Sequence, residues 1–274
     1  MNYRHAYHAG NFADVLKHTA LVSLLLHLRK KDKPFAVIDT HAGRGLYDRT
    51  GKEAEKTGEA EQGIARVKDS ADNPQPLKIY LEIANSFSAN MYPGSPLFVA
   101  KLLRRADRLV AIEKHPEEFA ALADALKPFA NARAVEGDGY QRLRSLLPPP
   151  ERRGLVLIDP PYERTDEFSE AARALIAAHR RFATGIYLLW YPLKNAPAIG
   201  AAIGEILTAG IRKVLRVEMD VGAAGERLSA SGLIVVNPSF GFEEEMRAAC
   251  NILLPQLSQG AGAHADVTWL AEDN

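Results

Sequence analysis

Apolar positions along this chain follow two alternating rhythms. Short, mainly apolar runs recur at 35–38, 108–112, 132–135, 155–158 and 185–191. They are too short for helices and partly β-branched, as buried parallel strands are. Between and around them lie segments whose apolar residues repeat every three or four positions. These predict helices at 12–28, 97–105, 117–129, 168–181, 199–209 and 242–254, with late strands at 214–221, 233–237 and 267–270. Asn11 is a natural N-cap for the first helix and Pro34 a stop, and Ser95 is expected to cap the helix at 97–105. The alternation predicts an α/β fold: a mostly parallel sheet with helices on both faces.

One stretch breaks the rhythm. Residues 47–91 hold a charged run from Gly51 to Lys56, then helical pieces at 60–67 and 77–87 separated by Asp72-Asn-Pro-Gln-Pro76. A βα loop usually takes about 2–6 residues. The stretch is therefore read as a small helical insertion within a single domain spanning 1–274. It is expected to gate a cleft or touch a partner, with a solvated decoration as the alternative.

Composition narrows the setting. Lys+Arg and Asp+Glu are equal at 34 each, so a nucleic-acid partner would need a local basic patch. The first helix, with Arg4, Lys17, Arg29 and Lys30, is the expected place. The single cysteine, Cys250, excludes an internal disulfide and argues for a reducing compartment. No run suits a signal peptide or a membrane span, so a cytoplasmic protein is expected. His5, His8, His18 and His27 offer no tight ligand pair on one helical face and no cysteine joins them, so no metal is expected.

Candidate chemistry gathers at strand ends, where open α/β sheets bind ligands. The run Leu155–Ile158 ends abruptly in Asp159-Pro160-Pro161-Tyr162. An aromatic amine is a poor nucleophile because its lone pair is delocalised. A carboxylate and a proline carbonyl, both accepting from the NH2 group, draw the nitrogen toward a tetrahedral geometry, and a neighbouring ring holds the base. An ordinary proline-rich turn is the competing reading. Asp39-Thr-His41-Ala-Gly43 follows the first strand as a glycine-containing loop, without the G-x-G-x-x-G spacing of dinucleotide sites. Tyr92-Pro-Gly-Ser95-Pro opens a helix whose N-terminus suits an anionic group. Glu113, at the end of the second strand, suits ribose hydroxyls, and Asp138 with Gly139, after the third, suits an adenine amino group. Tyr3-Arg4-His5 joins an aromatic to two potential cations.

Together with the opening Tyr-Arg-His-x-x-His-Ala-Gly-Asn, Asp14-Val-Leu-Lys17-His18, Arg181–Tyr187 and Trp190-Tyr-Pro192, these motifs resemble the bacterial 23S ribosomal RNA adenine-N6 methyltransferase J family over nearly the whole chain. The resemblance implies a Rossmann-like, S-adenosylmethionine-dependent methyltransferase acting on N6 of an adenine in 23S ribosomal RNA. It implies Asp159 as the acceptor at N6, with Pro160, Pro161 and Tyr162 completing the clamp. It implies His18, His41, Ser95, Glu113, Asp138 and Gly139 as cofactor contacts, and Tyr3 as an RNA contact, with His5 and Lys17 beside it. A monomer without membrane or metal is expected. A DNA adenine-N6 methyltransferase and a catalytically idle RNA-binding protein are the rival readings, with a dehydrogenase more distant.

Overall fold

The computed structural model describes residues 9–50, 60–164, 166–225 and 227–273. Tyr3, Arg4, His5 and the whole charged run from Gly51 to Lys56 lie outside the described residues. Five parallel strands form the centre: β1 (Ala36–Asp39), β4 (Arg108–Glu113), β5 (Ala132–Glu136), β6 (Gly154–Ile158) and β7 (Ile186–Pro192). Their spatial order is β5-β4-β1-β6-β7. Three more strands, β8 (Val214–Asp220), β9 (Ala230–Val236) and β10 (His264–Ala271), extend the sheet beyond β7 in the order β9-β8-β10. β9 runs antiparallel to both β7 and β8, and β10 antiparallel to β8.

The chain winds outward from β1 through β4 to β5, then crosses back to lay β6 on the other side of β1. That reversal opens a crevice above the carboxyl ends of β1 and β6. Because side chains alternate along each strand, the sheet has two apolar faces. Phe35, Val37, Leu109, Leu155, Leu157 and Leu188 share one core with α1 (Phe12–Arg29), α2 (Gln75–Asn85), α3 (Ser95–Leu102), α4 (Pro116–Leu126) and α8 (Phe242–Leu257). Ile38, Val110, Val156, Ile158 and Leu189 face a second core with α5 (Gly139–Leu146), α6 (Glu167–Arg181) and α7 (Ala196–Thr208).

Fifteen of the eighteen residues of α1 are buried. Asn11 caps it, accepting from Asp14 N at 3.0 Å, as expected. Its basic end lies by the start of the central strands. Arg153, whose carbonyl accepts from Ala36 N, donates to Leu28 O, and Arg104 donates to Lys31 O. Arg29 and Lys30 are thus at the amino edge of the sheet, opposite the crevice. Lys17 is 4% exposed. Among the described residues the basic patch expected along this helix is therefore not formed: Lys17 is drawn inward by carboxylates, and Arg29 and Lys30 lie at the helix's carboxyl end.

Three further expectations are corrected. Gly94, not Ser95, caps α3, which ends at Leu102; Ser95 is its first residue and donates its hydroxyl elsewhere. The predicted helix at 60–67 is only a 3-10 turn, Ile64–Arg66. Ile64 N donates to Gly10 O, and a side chain at Gly63 would meet that carbonyl at 2.0 Å, so close docking on α1 replaces helical propagation. A helix that the apolar pattern does not announce, α5, starts at Asp138, whose carboxylate accepts from Tyr140 N and Gln141 N. A two-stranded antiparallel sheet of β2 (Leu46–Asp48) and β3 (Met91–Pro93) pins together the two ends of the interrupting stretch. Within that stretch Leu77 and Tyr80 of α2 are fully buried against α1 and α3.

Candidate active site

Consecutive strand ends bring the expected acids to one cleft. In spatial order, Asp138 follows β5, Glu113 ends β4, His41 follows β1 and Asp159 follows β6. A cavity of about 280 Å³ joins them to Lys17, His18, Ser95, Gly139, Pro160, Pro161 and Tyr162. The structure thus gathers every described residue named from the sequence.

Lys17 is the main surprise. Its ammonium is 2.6 Å from Asp159 Oδ2 and 2.9 Å from Asp14 Oδ1, both within the fold. Burial alone would depress this ammonium; Asp14 and Asp159 outweigh burial and raise its pKa, so it stays charged. Lys17 was expected beside RNA; its charge is instead committed to the carboxylate at the centre of the clamp. Asp14 stands in the sequence only as part of a motif, without a role of its own, because that role needs the tertiary fold. Its Oδ2 also accepts from Gly10 N at 2.9 Å, which holds the helix start in place.

Tyr162 takes φ +50°, in the left-handed region that costs a non-glycine residue of order 1 kcal/mol or more. That backbone aims its hydroxyl at Trp190 O, 2.8 Å away. Its ring packs 4.5 Å from Phe168 and edge-on to Trp190 at 5.8 Å. The aromatic of the clamp is therefore fixed before any base arrives. Trp190 lies in β7 one residue beyond that strand's last pairing with β6, and the Lys17 ammonium lies 5.8 Å from its ring centre.

On the other side of Asp159 stands a second buried carboxyl, Asp39. Ser95 Oγ donates to it at 2.6 Å and His41 N at 3.3 Å. Burial, with Asp159 nearby, pushes its pKa up from 3.8 to about 7. Burial lowers that of His41 to about 4, so its imidazole is neutral at pH 7. Thr40 Oγ1 is 3.0 Å from Leu157 O and 2.8 Å from His41 Nδ1. With its single proton given to the carbonyl, Thr40 accepts from Nδ1–H, and Nε2 is left with a lone pair. His18 Nδ1 shares a 2.8 Å hydrogen bond with Tyr92, which bonds Tyr80 in turn.

Glu113 is a backbone organiser: Oε2 accepts from Gly43 N, and Oε1 from Lys114 N and His115 N. Asp138 caps α5 through Oδ1 and meets Lys114 Nζ through Oδ2 at 3.1 Å. Gly139 is required by space, since a Cβ there would lie 2.0 Å from Thr40 O.

The donor set fits a cationic nucleoside. Seven carboxylates and four cationic side chains line the cavity, a net formal charge of −3. S-adenosylmethionine carries a sulfonium and an ammonium against one carboxylate. Four buried polar atoms of the lining, His115 Nδ1, Tyr140 Oη, Glu167 Oε2 and Trp190 Nε1, have no partner among the described residues and are available to a ligand. Among the described residues no group of side chains could hold a metal.

The profile of the family described as "Ribosomal RNA large subunit methyltransferase D, RlmJ" matches residues 32–271. The chain is 40% identical to "Ribosomal RNA large subunit methyltransferase J" of Escherichia coli K12 over 100% of both chains. It is 37% identical to the Haemophilus influenzae Rd protein of the same name, over 99% of this chain and 98% of that one. A crystal structure of a Legionella pneumophila protein superposes with a TM-score of 0.86 at 35% identity, covering 96% of this chain and 98% of that one. Strand order, the cleft at the reversal point and full-length similarity agree: the chain belongs to the ribosomal RNA large subunit methyltransferase J family.

Proposed function

We propose that this protein transfers a methyl group from S-adenosylmethionine to N6 of one adenine in 23S ribosomal RNA. The observation that carries the proposal is the Asp159-Pro160-Pro161-Tyr162 turn at the carboxyl end of β6, with Asp159 Oδ2 held by Lys17. The cofactor, when bound, supplies a methyl made electrophilic by its positive sulfur. Glu113 and Asp138 are assigned to its ribose and adenine, a reading supported by their lining one cavity with His18, His41, Ser95 and Gly139.

The chain's own groups do the rest. Lys17 orients Asp159 so that its second oxygen faces the incoming amine. Asp159 and the Pro160 carbonyl accept the two N6 hydrogens and localise the nitrogen lone pair for in-line attack. As the N–C bond forms and the methyl's bond to sulfur breaks, its electron pair staying on the departing neutral thioether, N6 becomes cationic, and one of its protons passes to Asp159 and on to water. The flipped base stacks at Tyr162, whose ring is already positioned. Tyr3, with His5 nearby, is proposed to meet the RNA.

The test is methyl transfer from labelled cofactor to protein-free large-subunit ribosomal RNA, followed by digestion to nucleosides. Label in N6-methyladenosine is expected; label in another nucleoside, or in DNA only, rejects the proposal. Asp159→Asn should slow turnover by ~10²-fold or more. It should still fold, because Lys17 keeps Asp14.

A further inference from the structure

A polyanion cannot be gripped by a cleft of net negative charge, so the phosphates flanking the target base need another surface. The amino-terminal helix does not provide it: Lys17 is buried, and Arg29 and Lys30 sit at the opposite edge of the sheet. A groove between α5 and α6 has the right sign. It contains Arg144, Arg164, Arg173 and Arg181 against two carboxylates, Asp138 and Glu170. It is continuous with the cleft, since Asp138, Tyr140, Arg164 and Glu170 line both.

We infer that this groove is the track for the ribosomal RNA backbone next to the flipped adenine, an inference that rests on the RNA reading above. Both helices begin at the catalytic edge and run away from it, so the groove leads outward from the clamp. From Glu170 to Arg181 it extends ~17 Å at 1.5 Å per helical residue, room for several consecutive phosphates. Its α6 wall is Ala174, Ala177 and Ala178, whose small side chains let a backbone approach between the arginines. The arginines differ in their commitments. Arg164 is already paired with Asp166 and Glu170, and Arg181 Nε donates to Leu147 O. Arg144 is exposed, and Arg173 is 70% exposed with only a 3.4 Å contact to Glu205. An exposed pair of that kind yields readily to a phosphate. These two arginines are therefore the principal phosphate contacts.

The experiment compares wild type with the double variant Arg144→Gln, Arg173→Gln in the full chain, titrating large-subunit ribosomal RNA at several salt concentrations. The groove variant should bind RNA roughly tenfold more weakly at low salt, and the slope of log K against log salt should shrink by about 1.5, the share of two phosphates. In steady state the loss should fall on KM for RNA and not on kcat. Cofactor affinity by calorimetry should be unchanged. Arg29→Gln with Lys30→Gln is the control at the far edge and should match wild type. If wild type binds RNA and the groove variant shows the same affinity and slope, the track is wrong. If wild type itself shows no salt-dependent RNA binding, the ribosomal RNA reading falls and takes this inference with it.

Discussion

At the scale of single residues, the site is built from carboxyl groups held in different surroundings. Asp14 and Asp159 share the Lys17 ammonium, so both have a buried cation within 3 Å. Asp39 has only donors, Ser95 Oγ and His41 N, and burial raises its pKa to about 7. This has a consequence for stability. A carboxyl whose pKa is raised on folding stabilises the native state fully below its unfolded value near 3.8, and that contribution is lost as pH rises through about 7. Asp39 alone should therefore cost the wild type roughly 2.5 kcal/mol between pH 5 and pH 8. Asp39→Asn keeps an acceptor for His41 N and can donate to Ser95, yet cannot ionise. Urea unfolding across this range should show the variant losing less stability than wild type. Parallel pH profiles for the two proteins would rule out the assignment. Asp39 itself was legible in the sequence only as the end of a strand, because its environment is made by Ser95, 56 residues away.

At the scale of elements, the sequence announces strands better than it announces what joins them. The runs at 35–38, 155–158 and 185–191 are apolar because both sheet faces are covered, and β1, β6 and β7 appear there. The α5 helix is not legible from apolar spacing, since it buries only Gly139 and Leu143 and exposes both Arg142 and Arg144. Its signal is Asp138, a residue with two duties. As N-cap it accepts two backbone N–H groups, and its second oxygen faces the cleft beside Lys114. Asn is as good an N-cap as Asp. Asp138→Asn should therefore keep unfolding free energy within about 0.5 kcal/mol of wild type. In the proposed pocket its amide nitrogen would then face the adenine amino group, donor against donor. Cofactor affinity should fall by roughly tenfold or more, the value of a hydrogen bond to a charged acceptor. A large loss of stability, or unchanged affinity by calorimetry, would show that Asp138 serves the helix alone.

At the scale of the whole molecule, the fold is a consequence of where the chain reverses direction across the sheet. Crossing back from β5 to β6 places Asp159 beside the end of β1, while Glu113 and Asp138 remain on the other flank. Three acids far apart in sequence thereby face one cavity, whose net formal charge of −3 favours a cation. The sequence carried the strand ends and their acids, and hence the expectation of a nucleotide cofactor. It did not carry the cavity's balance of charge, which depends on which lysines and arginines the folded helices turn inward. Binding to such a cleft is linked to global stability, because the strand ends that form it are assembled only in the native state. S-adenosylmethionine at about 100 times its Kd should add roughly 2.7 kcal/mol, which for a chain of this size raises Tm by about 5–10 °C. The uncharged thioether product lacks the sulfonium and should shift Tm less at equal concentration. A nicotinamide dinucleotide, an anion facing an acidic cleft whose first loop lacks the dinucleotide glycine spacing, should leave Tm unchanged. Scanning calorimetry with the three ligands separates these outcomes. A larger shift with the dinucleotide than with S-adenosylmethionine would mean that the cleft's charge does not govern what enters it.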